Sequence, residues 1–194
     1  MTDKVLVENR GAVRILRINR PEVRNCVDGE TAVGLGDGIE AFALDPSARV
    51  LVVTGSGGVS FCAGADLKDP ASLFQHRHLD SAGPMGFARL DPGKPTIAAI
   101  NGFCFAGGFE LAAWCDFRIA AKEARLGSAT LRFGLLPDEG GQYLLVQLMG
   151  VAKTMDFLMH KRIVSADEAL ELGLVHEVVE PGGLASRAME LATE

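Results

Sequence analysis

The chain has 194 residues, of which 48% are hydrophobic and 23% charged, and its formal net charge is −6 at pH 7. This length can form one domain with a substantial core, and the composition is that of a globular protein. The negative charge gives no electrostatic support to a nucleic-acid partner. Gly, Pro or charged residues interrupt every long apolar stretch, and the N-terminus has no apolar signal core. We therefore expect a cytoplasmic protein without a membrane or nucleic-acid partner.

The histidines and cysteines give no sign of a metal centre or a disulfide framework. His76 and His78 lie close together, but no further His, Cys or Asp arrangement accompanies them, and we predict no metal site. The cysteines show no paired spacing, so we predict buried, reduced thiols that act as packing residues. They lie in or beside apolar runs, at Cys26, Cys62, Cys104 and Cys115.

The N-terminal quarter is predicted to form a hairpin, a helix and a strand. The β-branched runs Lys4–Glu8 and Ala12–Ile18 flank a turn sequence, which indicates a β-hairpin. Apolar residues at mixed spacing predict a helix over Gly29–Leu44, weakened by three internal glycines and stopped at Asp45-Pro46. Val50–Val53 is a short continuous apolar run, typical of a strand covered on both faces.

Two glycine-rich segments, Phe61–Leu67 and Asn101–Leu111, each follow an apolar run. We predict that each places small residues where a strand ends and a helix begins, with backbone N–H groups that point outward and lack partners. The second follows a predicted strand, Pro95–Ile100, and runs into a predicted helix, Ala106–Cys115. Residues 68–93 between the two are predicted to be a loop with some helix, of the kind that often covers a ligand.

The second half continues the alternation of strands and helices. The order of two strands followed by a helix predicts a layered α/β fold built by winding. A capping-box pattern at residues 165–168 predicts a helix start, and Gly173 its end. The other predicted elements are strands Asp116–Ala120, Ala124–Ser128 and Leu174–Val179, and helices Gln142–Met149, Val151–His160 and Leu184–Glu194.

Several segments together resemble the crotonase superfamily, the enoyl-CoA hydratase/isomerase family. The resemblance runs from about Val5 to Val179. It implies an α/β fold, a crotonase-like spiral of repeated ββα units. It also implies one domain over residues 1–194 that lacks most of the family's C-terminal helical region. The segments that carry it are Phe61–Leu67, Pro95–Asp116 and Gly134–Gly141, with Asn19-Arg20-Pro21 and Asn25.

The resemblance implies an oxyanion hole and a catalytic carboxylate. The positions that match the family's two oxyanion-hole amides are Ala65 and Gly107, and Glu110 matches one of its two catalytic glutamates. An acyl thioester oxygen gains negative charge when a proton leaves the neighbouring carbon, and fixed N–H donors stabilise that charge. Without the resemblance, the glycines would serve only tight turns and packing, and Glu110 would be a helix-start acid. The resemblance implies no cofactor beyond the CoA of the substrate.

The second catalytic glutamate of the family is replaced in this chain. The matching position is Thr130, whose hydroxyl is no general base near neutral pH. Asp138, eight residues on, matches the position where some double-bond isomerases of the superfamily carry their acid. One or two carboxylates suffice for isomerisation, because no water is activated. The alternative is that Asp138 is the N-cap of the following helix and Glu139 a first-turn acid, and we rank Glu139 below Asp138 as a catalytic residue.

The resemblance also implies that CoA is bound mainly by backbone and shape. The adenine amino group is expected to meet the carbonyl of Ala63, and main chain near Cys26 to line the pantetheine. Arg24 and Lys68 are predicted to meet CoA phosphates. The remaining predicted substrate-binding positions are Gly64, Asp66, Leu67 and Gly108.

We therefore predict an enzyme that hydrates or isomerises enoyl-CoA through a thioester enolate, and that works as a homo-oligomer, a trimer or hexamer. Two alternatives stay open. One is a Δ3,Δ2- or ring-type enoyl-CoA isomerase that uses Asp138. The other is a non-catalytic acyl-CoA-binding scaffold, which the threonine at position 130 favours.

Overall fold

The computed structural model describes residues 3–74 and 81–194. In these ranges the strands are β1 (Val5–Arg10), β2 (Val13–Ile18), β3 (Val50–Gly55), β4 (Ser60–Cys62), β5 (Thr96–Ile100), β6 (Phe103–Phe105), β7 (Phe117–Ala121), β8 (Arg125–Gly127), β9 (Val164–Ser165) and β10 (Glu177–Val179). The α-helices in the same ranges are α1 (Gly29–Leu44), α2 (Ala71–Phe74), α3 (Gly107–Trp114), α4 (Gly141–Met149), α5 (Val151–Met159), α6 (Ala166–Glu171) and α7 (Leu184–Leu191).

The strands form two sheets, and the chain winds between them. The larger sheet has the order β1-β2-β3-β5-β7-β10 and the smaller β4-β6-β8-β9. Each pair β3/β4, β5/β6 and β7/β8 places its first strand in the larger sheet and its second in the smaller. Apart from the antiparallel pairs β1/β2 and β8/β9, neighbouring strands are parallel. The predicted winding of strand, strand and helix is confirmed.

The N-terminal predictions are confirmed. Strands β1 and β2 pair antiparallel with Arg10 opposite Val13, and α1 has the predicted bounds. The Asp28 side chain caps α1 by accepting a hydrogen bond from the N–H of Thr31 at 2.9 Å. A Cβ at Gly38 would lie 2.5 Å from a methyl carbon of Leu16, so the glycine lets α1 pack closely on β2.

Three short strands, β4, β6 and β9, were missed because strands of two or three residues carry too little periodicity to read. β4 falls where a turn was predicted to lead into the first glycine segment, and β6 intervenes between β5 and α3. The prediction that a helix follows the first glycine segment directly is wrong. Ala65 instead forms a parallel bridge with Val27, and α2 begins only at Ala71. Residues 75–80 of the predicted 68–93 loop lie outside the described residues.

Two apolar clusters hold the layers together. The main cluster joins α1 and α3 to the sheets, through residues such as Phe42, Phe61 and Phe109. The second covers the other face of the larger sheet, where Leu184 and Ala188 of α7 pack on residues of β2, β3, β5 and β7. Burial of apolar surface on both faces accounts for the continuous apolar runs seen in the central strands.

Gly108 sets the distance between α3 and the smaller sheet. Strands β4 and β6 are parallel neighbours, with Cys62 opposite Cys104. A Cβ at Gly108 would overlap the carbonyl oxygen of Cys62. Only glycine therefore allows the start of α3 to lie directly against the end of β4.

We expect Gly108→Ala to lower the free energy of unfolding by about 1–3 kcal/mol, because the new methyl group forces two backbone segments apart. Urea denaturation measures the change. Gly58→Ala is the matched control, because a Cβ at Gly58 meets nothing within 4 Å. Equal stability of the two variants would contradict the proposed packing.

Candidate active site

The first part of the site is the N-terminus of α3. Gly107 is the first helical residue, so its N–H has no acceptor within the helix. The residue before it, Ala106, has φ 51° and ψ −127°, a conformation that costs free energy for a residue with a Cβ. Its carbonyl accepts hydrogen bonds from the N–H groups of Phe109 and Glu110, at 2.9 and 3.1 Å. The helix thus begins in a sharp turn that leaves the Gly107 amide without an acceptor in the helix.

The second part is the loop that contains Ala65. The N–H of Val27 donates to the carbonyl of Gly64 at 2.9 Å, and the N–H of Asp66 donates to the carbonyl of Val27 at 2.8 Å. In a parallel bridge of this form, the N–H of the residue between the two bonding positions points away from the partner strand. The Ala65 amide is therefore directed away from Val27.

The two loops touch beside Gly64. A Cβ at this residue would lie 3.1 Å from the backbone nitrogen of Gly107 and 2.9 Å from the Cβ of Ala106. Gly64 also has φ 97°, which a residue with a side chain rarely adopts. The chain segment before Ala65 is thus packed directly against the Gly107 amide. That the Ala65 and Gly107 amides bind one oxygen stays a prediction.

Glu110 lies buried in the first turn of α3. Its Oε1 accepts hydrogen bonds from the N–H groups of Glu139, at 3.0 Å, and Gly141, at 2.7 Å. Its Oε2 is buried without a hydrogen-bond partner. Burial raises the pKa of Glu110 to about 7, against the lowering effect of the two N–H donors, and the charge of Asp138 adds to the rise. The carboxyl group is thus placed to gain or lose a proton near neutral pH.

Glu139 is a second buried carboxyl group in the same site. Its side chain is 2% exposed, and its Oε1 accepts a hydrogen bond from the N–H of Met85 at 2.7 Å. Its Oε2 is also buried without a hydrogen-bond partner. Burial raises the pKa of Glu139 to about 8, and the charges of Glu110 and Asp138 contribute to the rise. The sequence analysis ranked this residue below Asp138, although Glu139 is the buried one.

Asp138 itself is exposed, and the alternative that it is the N-cap of the following helix is wrong. Helix α4 begins at Gly141, and its N-cap is Gly140, without a side-chain cap. Glu139 accordingly precedes the helix and is not a first-turn acid. Asp138 lies near enough to the two glutamates for its charge to raise both pKa values. A catalytic role for Asp138 stays a prediction.

Thr130 occupies a 3₁₀ turn, Thr130–Phe133, and is buried. Its hydroxyl lies 3.3 Å from that of Ser128, so the two hydroxyl groups satisfy each other. This position therefore supplies no carboxylate to the site.

Arg20 and Asn25 hold the loops around the first glycine segment. The Arg20 guanidinium contacts the carboxylates of Asp66 at 3.0 Å and Asp28 at 3.2 Å, and donates to the carbonyl of Cys26 at 2.7 Å. The buried Asn25 amide donates to the carbonyls that precede and begin β4, those of residues 56 and 60, at 2.9 and 2.7 Å. The sequence analysis quoted both residues only as part of the resemblance, because their partners lie far away in sequence.

The predicted CoA-binding residues fall into two groups. Arg24, Leu67 and Lys68 are exposed, and Cys26 and Ala63 are partly buried. The Arg24 guanidinium lies 4.9 Å from the centre of the Phe103 ring. In contrast, Asp66 is buried and bound to Arg20, while Gly64 and Gly108 pack against neighbouring backbone. The role of all these residues in CoA binding stays a prediction.

The predicted packing cysteines, Cys62 and Cys104, are buried free thiols. Burial raises the pKa of Cys62 to about 12 and that of Cys104 above its ordinary value. Within residues 3–74 and 81–194, no three His, Cys, Asp or Glu side chains form a group able to hold a metal ion. His76 and His78 lie outside the described residues. No helix in the described part of the chain has the length and apolar character needed to cross a bilayer.

The paired glutamates predict a characteristic pH dependence of stability. Both have folded pKa values above the ordinary 4.5, so the folded chain binds more protons than the unfolded chain between about pH 4.5 and 8. The free energy of unfolding therefore falls as pH rises through this window, by up to about 1.4 kcal/mol per pH unit for each group. Urea denaturation between pH 5 and 9 measures the slope. We expect Glu139→Gln to flatten it and the exposed control Glu123→Gln to leave it unchanged; equal slopes for Glu139→Gln and the unaltered chain would contradict the assignment.

The family model for enoyl-CoA hydratase/isomerase matches residues 8–194. The chain is 36% identical over 193 residues to the crotonyl-CoA hydratase of Syntrophomonas wolfei, across 98% of this chain and 74% of that protein. It is 37% identical over 198 residues to the carnitinyl-CoA dehydratase of Salmonella arizonae, across 100% of this chain and 75% of that protein.

Solved structures agree with these sequence matches. An enoyl-CoA hydratase from Bacillus anthracis superposes with a TM-score of 0.89 at 34% identity, over 98% of this chain and 76% of that one. A carnitinyl-CoA dehydratase from Mycobacterium avium superposes with a TM-score of 0.90 at 37% identity, over 99% and 76%. The crotonase-like fold predicted from the motifs is thus confirmed, and the chain belongs to the enoyl-CoA hydratase/isomerase family.

Proposed function

We propose that this protein binds an enoyl-CoA thioester and hydrates or isomerises it, the hydration running in either direction, through an enolate held in an oxyanion hole. The observation that carries the proposal is Glu110. Its carboxyl group is buried one helical turn from the Gly107 amide, has one oxygen without a partner, and has a pKa raised to about 7. The matched relatives named as a crotonyl-CoA hydratase and a carnitinyl-CoA dehydratase support the same chemistry.

The reaction centres on the carbon next to the thioester. Glu110 takes a proton from that carbon or returns one to it, and the thioester oxygen carries the negative charge meanwhile. The amides of Ala65 and Gly107 donate to that oxygen, and each such donor is worth about 3–4 kcal/mol of transition-state stabilisation. The proposal requires no cofactor beyond the CoA of the substrate, and it assigns the CoA phosphates to Arg24 and Lys68, both of which are exposed.

Two alternative functions are each supported by one observation. An isomerase that uses Asp138 is supported by the nearness of Asp138 to both glutamates, where its charge contributes to their raised pKa values. A non-catalytic acyl-CoA-binding scaffold is favoured by Thr130, which offers no carboxylate. The cytoplasmic location expected from the sequence stays a prediction.

The proposed homo-oligomer, a trimer or hexamer, draws on exposed apolar side chains near α4 and α5. Phe133, Leu136, Tyr143 and Met159 are each more than 60% exposed. Apolar surface of this kind marks an association surface.

We expect sedimentation to give a species larger than the monomer, and Leu136→Glu to shift it toward the monomer by placing charge in the contact. Leu44→Glu, at a still more exposed leucine at the end of α1, is the control and keeps the larger species. A stable, monodisperse monomer of the unaltered chain would contradict the proposal.

The activity is tested with crotonyl-CoA and, separately, a 3-enoyl-CoA, by following the absorbance of the conjugated thioester. Loss with the first indicates hydration, and gain with the second indicates isomerisation. We expect Glu110→Gln to lower kcat by about 10²–10⁴-fold, because the amide cannot exchange a proton. Glu123→Gln is the matched control and keeps the full rate. CoA binding without turnover of either substrate would favour the scaffold, and full activity of Glu110→Gln would remove that residue from the reaction.

A further inference from the structure

The buried polar groups point to a second residue in the same site. Of all described residues, three bury a side-chain nitrogen or oxygen that has no hydrogen-bond partner: Glu110, Glu139 and Thr154. Two of these three groups are carboxyl oxygens of the same site. A buried carboxyl oxygen without a partner costs free energy, so its retention beside Glu110 points to a use for it.

Three backbone features fix the position of the Glu139 carboxyl group. The Met85 N–H holds Oε1 at 2.7 Å, and a Cβ at Gly83 would lie 3.2 Å from Oε2. On the other side, a Cβ at Gly107 would lie 3.8 Å from the Glu139 Cγ. The carboxyl group therefore lies between the 83–85 segment and the start of α3, beside the amide that the proposed function assigns to the oxyanion hole.

We propose that Glu139 is the second catalytic residue of this site, and that its Oε2 donates a proton to the substrate while Glu110 takes one. This inference rests on the proposed function. It assigns the role of the acid to the buried Glu139. Asp138 is exposed, and the hydroxyl of Thr130 is paired with that of Ser128.

The proton balance closes in both reactions. The Glu110 carboxylate removes a proton from C2 of the acyl chain, which leaves the enolate. The Glu139 carboxyl group then donates its proton either to a hydroxyl group on C3, which leaves as water, or to C4 of a 3-enoyl chain. Glu110 ends protonated and Glu139 ionised, and transfer of one proton from Glu110 to Glu139 restores the site. Hydration is the reverse of the first reaction.

The surrounding charges favour this division of roles. The groups whose charges act on Glu139 are Glu110 and Asp138, which raise its pKa, and Arg89, which lowers it. The pKa of Glu139 is raised to about 8 and that of Glu110 to about 7. Both raised pKa values let these carboxyl groups hold a proton near neutral pH, and the position of Glu139 beside the 83–85 segment assigns the donor role to it.

A purely structural role for residue 139 has to be separated from proton donation. Its backbone N–H holds Glu110 Oε1 whatever side chain it carries. Glu139→Gln keeps that N–H, the side-chain shape and the neutral state, and keeps an oxygen for the Met85 N–H, but it cannot donate an acidic proton. The thermal midpoint, measured by circular dichroism, checks that the variant folds.

Two assays with the full chain test the assignment. Deuterium exchange at C2 of butyryl-CoA in D₂O needs only Glu110 and the oxyanion hole. Dehydration of 3-hydroxybutyryl-CoA and isomerisation of a 3-enoyl-CoA need both carboxyl groups. We expect Glu139→Gln to lower these two turnover rates by about 100-fold or more, while exchange falls by less than about 5-fold. Glu110→Gln is expected to lose all three activities.

The pH profile supplies a readout that a structural role would not change. For the unaltered chain we expect kcat/KM of the turnover reaction to fall above about pH 8, as Glu139 loses its proton. The residual turnover of Glu139→Gln should lack this fall. Glu139→Asp keeps an acidic proton and should recover part of the rate, whereas a cap or packing role would give no such recovery.

The possible failures are distinguishable. Turnover by Glu139→Gln at the full rate, or an unchanged fall above pH 8, overturns the role of Glu139 and leaves the proposed function intact. Equal loss of exchange and turnover in a folded Glu139→Gln also overturns it, because the side chain would then act only through Glu110. Asp138→Asn that reproduces the selective loss of turnover assigns the acid to Asp138 instead. Absence of exchange and turnover in the unaltered chain overturns the proposed function itself.

Discussion

The close approach of two loops at the edge of the smaller sheet determines the rest of the site. The parallel pairing of β4 with β6 brings the ends of both strands to one place. Glycines then remove the atoms that would keep the loops apart, at Gly64 against the Gly107 nitrogen and at Gly108 against the Cys62 carbonyl. Because this contact is between backbones, it fixes the direction of N–H groups more rigidly than side chains would. A preorganised hole for a charged oxygen requires that rigidity.

Burying the two carboxyl groups in this rigid site lowers the stability of the fold. A buried, ionised Glu110 or Glu139 is unfavourable unless hydrogen bonds compensate, and here each carboxyl group has backbone donors on one oxygen only. Two carboxyl groups with raised pKa values thus occupy buried positions where apolar side chains would pack without a loss of free energy. A site that performs proton transfer near neutral pH needs this kind of compromise between stability and reactivity.

Much of this arrangement was readable from the sequence, and the exceptions have physical reasons. The hairpin and α1 follow from local patterns and were predicted with nearly correct bounds. The strands β4, β6 and β9 have two or three residues, and their pairing partners lie in distant segments, so no local pattern identifies them. The choice between Asp138 and Glu139 depends on which side chain is buried, and Glu139 is buried against Met85, a residue distant in the sequence. Arg20 was likewise recognised only by motif, because its partners Asp28 and Asp66 come together only in the folded chain.

The hydrogen bonds of the site also connect the two buried carboxyl groups to the segment that packs on them. The Glu139 amide holds Glu110, the Met85 amide holds Glu139, and the Met85 side chain packs against Gly107, where a Cβ would overlap its sulfur. The contacts lead from Glu110 through Glu139 and Met85 back to the start of α3, because Gly107 and Glu110 lie in the same helical turn. Met85 therefore fills the space beside the Gly107 Cα, and its own amide donates a hydrogen bond to Glu139. The position of the Glu139 carboxyl group and the packing at the start of α3 are thereby linked through one residue of the 83–85 segment.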